Sequence, residues 1–480
     1  MTASRSRCVA ATIQVAAVVL AFALDVSAQS PSSSGEGAKP EPPYKKSRQD
    51  EDWGFLQDPQ KRSDLFDPIK YIPMRDEDGW YLSLGGDIRE RYEMEDHPWW
   101  GRGPGSTDYS GYDLQRYLAH GDAHLGKHVR FFGQIESSLE YGRNGGPRPV
   151  IDEDKLSLHQ AFVDLSLNTN DSAFRLRIGR QELSFGSQRL VSIREEPNVR
   201  QSFDGARLTL SSHEWQVDGF ATEWVTTNPG VFDNADSGTM FWGVYAVRPW
   251  TPLPHGTVDL YYLGLDRSAA TFDRGTAREI RHSIGTRLSG HGAAWDYNDE
   301  AILQWGSFGT GDIRAWTVAS DTGYTLSDLG FRPRLGLRAD VTSGDGNQTD
   351  PTLRTFNPLF PKGSYFGEIA LIAPANHMDL HPSIDLKLGT AWTITPECVF
   401  FWRQSLNDGI YRPPEILVVP AGASRSRFVG TQPSIQGEWH INRHYGVTAN
   451  YTHFIVGPFL RDAKLDENIN YVTAFINYTF

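Results

Sequence analysis

The last eleven residues, Asn470 to Phe480, alternate with period two. Val472, Ala474, Ile476, Tyr478 and Phe480 share one face; Thr473, Asn477 and Thr479 share the other, with Phe475 as its apolar exception. Successive side chains of a strand point to opposite sides, so one face suits hydrocarbon and the other water. In a soluble protein a terminal strand of this kind leaves an edge that invites other chains. A barrel in a bacterial outer membrane removes the edge by pairing its last strand with its first. The expected fold is therefore all-β, a transmembrane antiparallel β-barrel.

The other end of the chain reads as an export signal. Arg5 and Arg7 precede an apolar run from Val9 to Leu24, and Val26-Ser27-Ala28 supplies the small residues of a cleavage site, so residues 1–28 are expected to be a signal peptide. With the signal gone, Cys398 is the remaining cysteine and no intramolecular disulfide is possible. No stretch after residue 28 approaches the roughly 18 consecutive apolar residues that a membrane helix needs. A mean hydropathy of −0.45 would ordinarily indicate a soluble chain. Barrels escape that reading because lumen-facing and lipid-facing residues cancel in any average. Aromatic residues make up 12% of the chain, enough to furnish two interfacial girdles. A net charge of −13 argues against a nucleic-acid partner. Residues 29–80 are expected to be a periplasmic leader and entrance segment. The leader is polar up to Asp52, and Trp53, Phe55, Phe66 and Tyr71 then sit among prolines, where they could pack at the barrel mouth.

Residues 81–480 carry the barrel. From Leu82 onward the chain divides into about eighteen alternating segments of roughly 8–14 residues, the length of tilted membrane strands. The links between them alternate in length. Long ones at 93–112, 142–155, 181–203, 226–238, 343–380 and 405–426 are interleaved with short ones at 125–128, 168–172, 211–213, 289–293, Thr395–Glu397 and 442–444. Short periplasmic turns and long outer loops are the habit of bacterial barrels. A barrel of this size leaves an aqueous lumen, and the loops 181–203 and 343–380 are the candidates to fold into it.

Each strand's apolar set fixes its outward phase. Leu82, Leu84, Ile88 and Tyr92 facing out put Asp87, Arg89 and Arg91 inside; Val129, Phe131, Ile135 and Leu139 do the same for Arg130, Gln134, Glu136 and Glu140. By the same rule Arg175, Arg177, Arg207, Arg334, Arg338, Asp340, Asp385 and Lys387 face the lumen. The inference has force because Arg or Lys on the lipid side near the midplane costs about 2–4 kcal/mol. An inward excess of guanidinium groups suits an anionic solute, since Arg grips carboxylates in a bidentate fork. Arg–Asp and Arg–Glu ladders that only brace the wall are the competing explanation for any single arginine. Arg180 falls out of the inward phase after Ile178, so a bulge near Gly179 is expected to return it to the lumen.

Several segments resemble the alginate-export family of outer-membrane porins. They are Arg177-Ile-Gly-Arg-Gln-Glu-Leu-Ser-Phe-Gly-Ser-Gln-Arg-Leu190, Arg200-Gln-Ser-Phe-Asp-Gly-Ala-Arg-Leu208, Phe356 to Glu368, Pro374 to Ser383, Trp402 to Tyr411 and the tail from Val429 to Leu460. The resemblance implies an 18-stranded monomeric barrel in the bacterial outer membrane, with an electropositive constriction that passes an anionic polyuronate outward. It makes Arg177, Arg180, Arg189, Arg200, Asp204, Arg207 and Arg403 eligible to line that constriction.

The function expected is a channel for an anionic polysaccharide or sugar acid, with a general or small-anion porin and an outer-membrane enzyme as alternatives. The chain has no HExxH and no GxSxG, so no catalytic residue, metal or cofactor is expected. His120, Asp122 and His124 share one inner face and could bind a metal, but read better as polar lumen residues. Asp345-Gly-Asn347 with Asp350 reads better as an acidic outer loop than as a calcium loop. The expected partners are the anionic solute, outer-membrane lipid and lipopolysaccharide, periplasmic export proteins, and the barrel-assembly machinery, which would meet the Phe480 strand.

Overall fold

The computed structural model describes residues 44–75, 79–102, 109–230 and 232–480; the expected signal peptide, 1–28, and the first part of the expected leader lie outside them. Among the described residues the chain forms eighteen barrel strands: β1 (Trp80–Asp96), β2 (Tyr109–Leu125), β3 (Val129–Tyr141), β4 (Asp154–Asn168), β5 (Ser172–Gln181), β6 (Phe203–Ser212), β7 (Trp215–Thr226), β8 (Asn234–Pro249), β9 (Thr257–Phe272), β10 (Gly275–His291), β11 (Trp295–Phe308), β12 (Gly311–Thr325), β13 (Arg334–Thr342), β14 (His377–Leu388), β15 (Trp392–Trp402), β16 (Phe428–His440), β17 (Tyr445–Val456) and β18 (Ile469–Thr479). Each pairs antiparallel with the next, and β18 pairs with β1 to close the sheet.

The closing seam explains the terminal sequence. Tyr478 pairs with Ile88 and Ile476 with Glu90 on the outer face, while Thr473 is fully buried inside. Phe475, the apolar exception, lies under the Arg91 guanidinium, 5.2 Å from its ring centre. Phe480 exchanges both backbone hydrogen bonds with Gly86, each 3.0 Å. A Cβ at Gly86 would stand 2.7 Å from the Phe480 ring, so the glycine is what seats it.

Outside, the wall is apolar and exposed: Leu303 is 61% accessible and Val318 52%. Patches this large are not left facing water. Exposed aromatics border the belt, with Trp215, Trp250, Trp295 and Trp392 near the short-turn end and Tyr141, Trp305 and Trp316 toward the long-loop end. Indole and phenol groups favour this boundary because one edge is apolar and the other can reach water.

Loop length departs from simple alternation at 273–274 and 309–310, both two-residue turns at the long-loop end. There β9 and β10 run to 16 and 17 residues, so strands supply the height that loops supply elsewhere. A second departure corrects the sequence reading. Thr395-Pro396-Glu397 is not a turn but lies within β15, and the turn is at 389–391. Pro396 is tolerated because the β14–β15 ladder lapses between Ser383↔Glu397 and Leu386↔Ile394, where its missing N–H would have pointed; on its other side it pairs with Ile435.

The lumen is packed by inserted chain. Loop 182–202 and loop 343–376 fold inward and meet in a short parallel bridge at Val191 and Phe360, with Phe360 N donating to Leu190 O at 2.8 Å. Leu183, Phe185, Leu190, Phe356, Leu359 and Phe360 pack on inward Phe203, Phe220, Phe241 and Leu263 of the wall. A third insert is the leader. Its Trp53 and Leu56 form a buried cluster with Tyr71 and Tyr81, and Arg48 donates to Gly86 O and Phe480 O at 2.9 and 3.0 Å. Arg130 reaches Gln49 O, Arg200 reaches Lys46 O, and Ser47 donates to Glu182, which ties the leader to both the wall and loop 182–202.

Candidate functional site in the lumen

Most of the arginines that sequence phasing turns inward are engaged by carboxylates or carbonyls. Arg177 holds Asp164 with two 2.8 Å bonds and lies 3.7 Å above the Phe162 ring. Arg130 grips Asp122 at 2.7 and 2.8 Å, Arg207 bonds Asp218 at 2.9 Å, and Arg334 bonds Asp296 at 2.8 and 2.6 Å. Arg89 donates to Glu195 O and Pro197 O at 2.8 and 2.7 Å, and Arg91 to Glu196 O, Glu93, Glu368 and Tyr471. Buried ion pairs are costly to desolvate and costly to break. In this lumen the pairs of Arg177, Arg130, Arg207 and Arg334 brace wall strands, while Arg89 and Arg91 tie the inserted loops to the wall.

The loop arginines follow the same pattern. Arg189 bridges Glu300 at 2.9 Å and Asp340 at 3.0 Å and also donates to Tyr365. Arg200 lies 3.2 Å from Glu182 and 3.0 Å from Glu195. Burial opposes ionisation of Glu195, but Arg116, Arg200 and Arg89 together hold it down at about 2. Arg116, which the phasing did not single out, is fully buried and paired with Glu195.

Three expected lining residues lie elsewhere. Arg180 and Asp204 pair with each other at 2.8 and 2.9 Å. They belong to the outer face, not the lumen. Register runs unbroken from Arg177↔Arg207 to Gln181↔Phe203, and Arg177 and Phe203 point inward, so Arg180 shares the phase of Ile178 and Asp204 that of Ala206. No bulge occurs at Gly179. The extra residue is His159 on β4, where Gln134 pairs with Gln160 but Ile135 with Leu158. Arg180 stands at the long-loop end of β5, where a charge on the outer face costs only about 0–1 kcal/mol. Arg403, the third, is buried at the root of loop 403–427. Its guanidinium donates to the carbonyls of Ser424, Ser426, Leu406 and Asp408 and lies 4.0 Å over the Phe459 ring. It holds that loop rather than facing the lumen.

A smaller set of cations makes no strong ion pair. Arg175 and Lys387 make none among the described residues and stand near the short-turn end. Arg338 donates to Tyr365 O at 3.0 Å and has Asp321 no nearer than 3.6 Å. It lines a cavity on the β12–β15 wall with Arg334, His381, Ser383, Asp385, Thr395, Asp321 and Glu397. The carboxylates there are engaged, Asp321 and Asp385 by Arg334 at 3.3 and 3.5 Å and Glu397 by His381 at 2.8 Å. Lys362, on the inserted loop 343–376, lies 5.8 Å over the Tyr365 ring; burial and then Arg338 pull its ammonium down to about 8.

Beyond Lys362, a second cavity opens toward the long-loop end. Arg143, Arg148, Arg194 and Arg412 line it with Glu95, Trp99, Tyr112, Pro361 and Gly363. Arg148 is anchored on Asp152 at 2.8 Å. Arg194 faces no carboxylate within bonding distance among the described residues, and burial alone lowers it to about 10. Arg412 stacks 4.7 Å over Trp99, and burial followed by repulsion from Arg148 and Arg143 lowers it to about 10. Arg194, Lys362 and Arg412 escaped sequence phasing because inserted loops have no period. The one available signal was position: Lys362 lies inside the segment Phe356–Glu368, and Arg412 directly follows Tyr411.

The other polar clusters weighed from sequence are occupied by protein partners. Asp122 is shared by Arg130 and His124, and His124 stacks on Tyr81 with ring centres 4.3 Å apart. Asp345 and Asp350 meet Arg274 and Arg354.

Comparison with known proteins places this geometry. The family model described as alginate export matches residues 80–475. A search of curated proteins returned no match. Among solved structures, OccK11 (OpdR) of Pseudomonas aeruginosa aligns with a TM-score of 0.53 at 14% identity, over 85% of this chain and 99% of that one. OpdQ of the same organism gives 0.55 at 12%, covering 83% and 98%. OccK2 (OpdF), solved in complex with glucuronate, gives 0.52 at 11%, covering 83% and 96%. At these identities the structural likeness speaks for the fold.

Proposed function

The chain belongs to the alginate export family and is a channel of the bacterial outer membrane rather than an enzyme, and on that premise we propose that it conducts anionic sugar-acid chains of the polyuronate class. The observation that carries this reading is the distribution of cations left without a strong carboxylate partner. Arg338, Lys362, Arg194 and Arg412 follow one another from the β12–β15 cavity to the cavity of the outer loops. The opposite side of the lumen, along β1–β5, is filled by the leader and loop 182–202. A carboxylated chain passing between these two cavities meets guanidinium and ammonium donors in series, each able to bind a carboxylate and release it to the next.

The braced ion pairs set the shape of this passage and the unbraced cations set its charge. At the outer cavity Arg143 and Arg148 share Asp152, while Arg194 and Arg412 have no carboxylate within bonding distance among the described residues, and these two favour an anion there. Trp99 and Tyr112 add flat apolar surface of the kind a sugar ring can lie against. That one structural relative was solved with glucuronate, a sugar carboxylate, supports the same solute class. A general or small-anion porin would share the charge but not the series of sites. Single-channel recording in a planar bilayer separates them: oligouronates added in the micromolar to millimolar range are expected to block chloride current, and neutral oligosaccharides of equal length are not. Equal block by both would overturn the proposal.

A further inference from the structure

On the outside of the barrel, a groove at the long-loop end spans the tops of β12 to β16. Arg314, Arg354 and Arg427 line it from three different parts of the chain, with Trp316, Gln404, Ser405 and Asn407, and no carboxylate is among its lining residues. Asp312 lies 4.0 Å from Arg314; from outside the lining, Asp350 holds Arg354 at 3.0 and 2.9 Å and Asp345 stands 3.6 Å from it. Arg427 has no ion pair among the described residues; it donates to Arg403 O at 2.8 Å and to Gln404 O, which fixes its direction. Gln404 accepts from Gly344 N through its side-chain oxygen, so its amide nitrogen is turned to donate elsewhere.

The level of the groove identifies its occupant. Arg314 pairs across the ladder with Trp305, and Trp316 with Leu303; all three apolar partners lie on the exposed outer belt. The guanidinium groups therefore stand at the rim of the hydrocarbon layer on the outer-leaflet side, where lipid headgroups lie. We propose that this groove binds the phosphate groups of an acylated, phosphorylated saccharide lipid of the outer leaflet, with its acyl chains running down Trp316 and Val318. Guanidinium forks match phosphate oxygens bidentately, and Arg314 and Arg427 over an apolar wall, beside the carboxylate-held Arg354, fit a lipid that is anionic at the head and apolar below.

The test is thermal unfolding of the detergent-folded barrel, followed as loss of the heat-modifiable band on gels, with bisphosphorylated lipid A as the probe. Lipid A is expected to raise the unfolding temperature of the native chain, and Arg314→Glu, at an exposed position, to weaken that effect at least ten-fold in lipid concentration. Arg427→Gln is expected to weaken it similarly. Both variants should keep the native unfolding temperature without lipid and the native single-channel conductance. Dephosphorylated lipid A or inorganic phosphate alone should give no shift. An equal lipid A effect in native chain and variants, or a full shift from either control, would overturn the assignment.

Discussion

Lys362 is the titratable charge of the proposed passage. Burial and the neighbouring Arg338 lower its ammonium to about 8, so it is charged below that pH and neutral above it. About nine-tenths of the channels carry this charge at pH 7 and about one-tenth at pH 9. A unit charge about 6 Å from a passing carboxylate is worth about 0.7 kcal/mol in a water-like medium and about 3 kcal/mol at an effective dielectric of about 20. A half-buried lumen residue falls between these limits, so losing the charge should weaken anion binding by roughly 1 kcal/mol, or about five-fold. The assay is the half-blocking concentration of a defined oligouronate in single-channel recordings from pH 7 to pH 9. Block should weaken about five-fold as the pH rises through 8, and Lys362→Gln should show the weakened value throughout. A pH-independent block in the native channel, or an unchanged pH dependence in Lys362→Gln, would refute the reasoning.

The remaining predictions address the wall and the leader. Arg180→Leu should leave anion selectivity within error of the native channel, because Arg180 lies on the outer face; a clear loss of selectivity in bilayer recordings would return it to the lumen. Gly86→Val should destabilise the closing seam, since a Cβ there meets the Phe480 ring at 2.7 Å, and gels should show the folded band lost at lower temperature. Lys70, on the leader, donates to Leu84 O, and burial followed by Arg48 lowers its ammonium to about 7 from 10.5. The docked leader thus favours neutral Lys70, so docking is strongest above the free value, weakens as the pH falls from 10.5 to 7 and levels off below. Limited proteolysis should cut the leader faster at pH 6.5 than at pH 9.5, and Lys70→Met should remove the difference.

What was legible in the sequence follows from period-two alternation. Strand phase predicted that Arg177, Arg130 and Arg207 face inward, because lipid forbids the opposite phase at low cost. The same reasoning failed at Arg180, where a glycine suggested a bulge and the extra residue sits one strand away at His159. A proline misled it at Thr395–Glu397, since a lapse in the neighbouring ladder, invisible in sequence, removes the penalty. The ion-pair partners of the lumen were not legible either. Glu182, Glu195 and Glu368 come from inserted loops and Glu300 from a distant strand. Phasing therefore reached cations on the wall, Arg130, Arg177, Arg207 and Arg338 among them, and missed Arg194, Lys362 and Arg412, which lie on loops without a period.

The most direct measurement of the central claim is the reversal potential of the purified channel in a potassium chloride gradient. The proposed series of lumen cations without a close carboxylate predicts a sign corresponding to chloride more permeant than potassium at pH 7. That preference should fall in the double variant Lys362→Gln, Arg338→Gln. A potassium-selective reversal potential in the native channel would contradict the account.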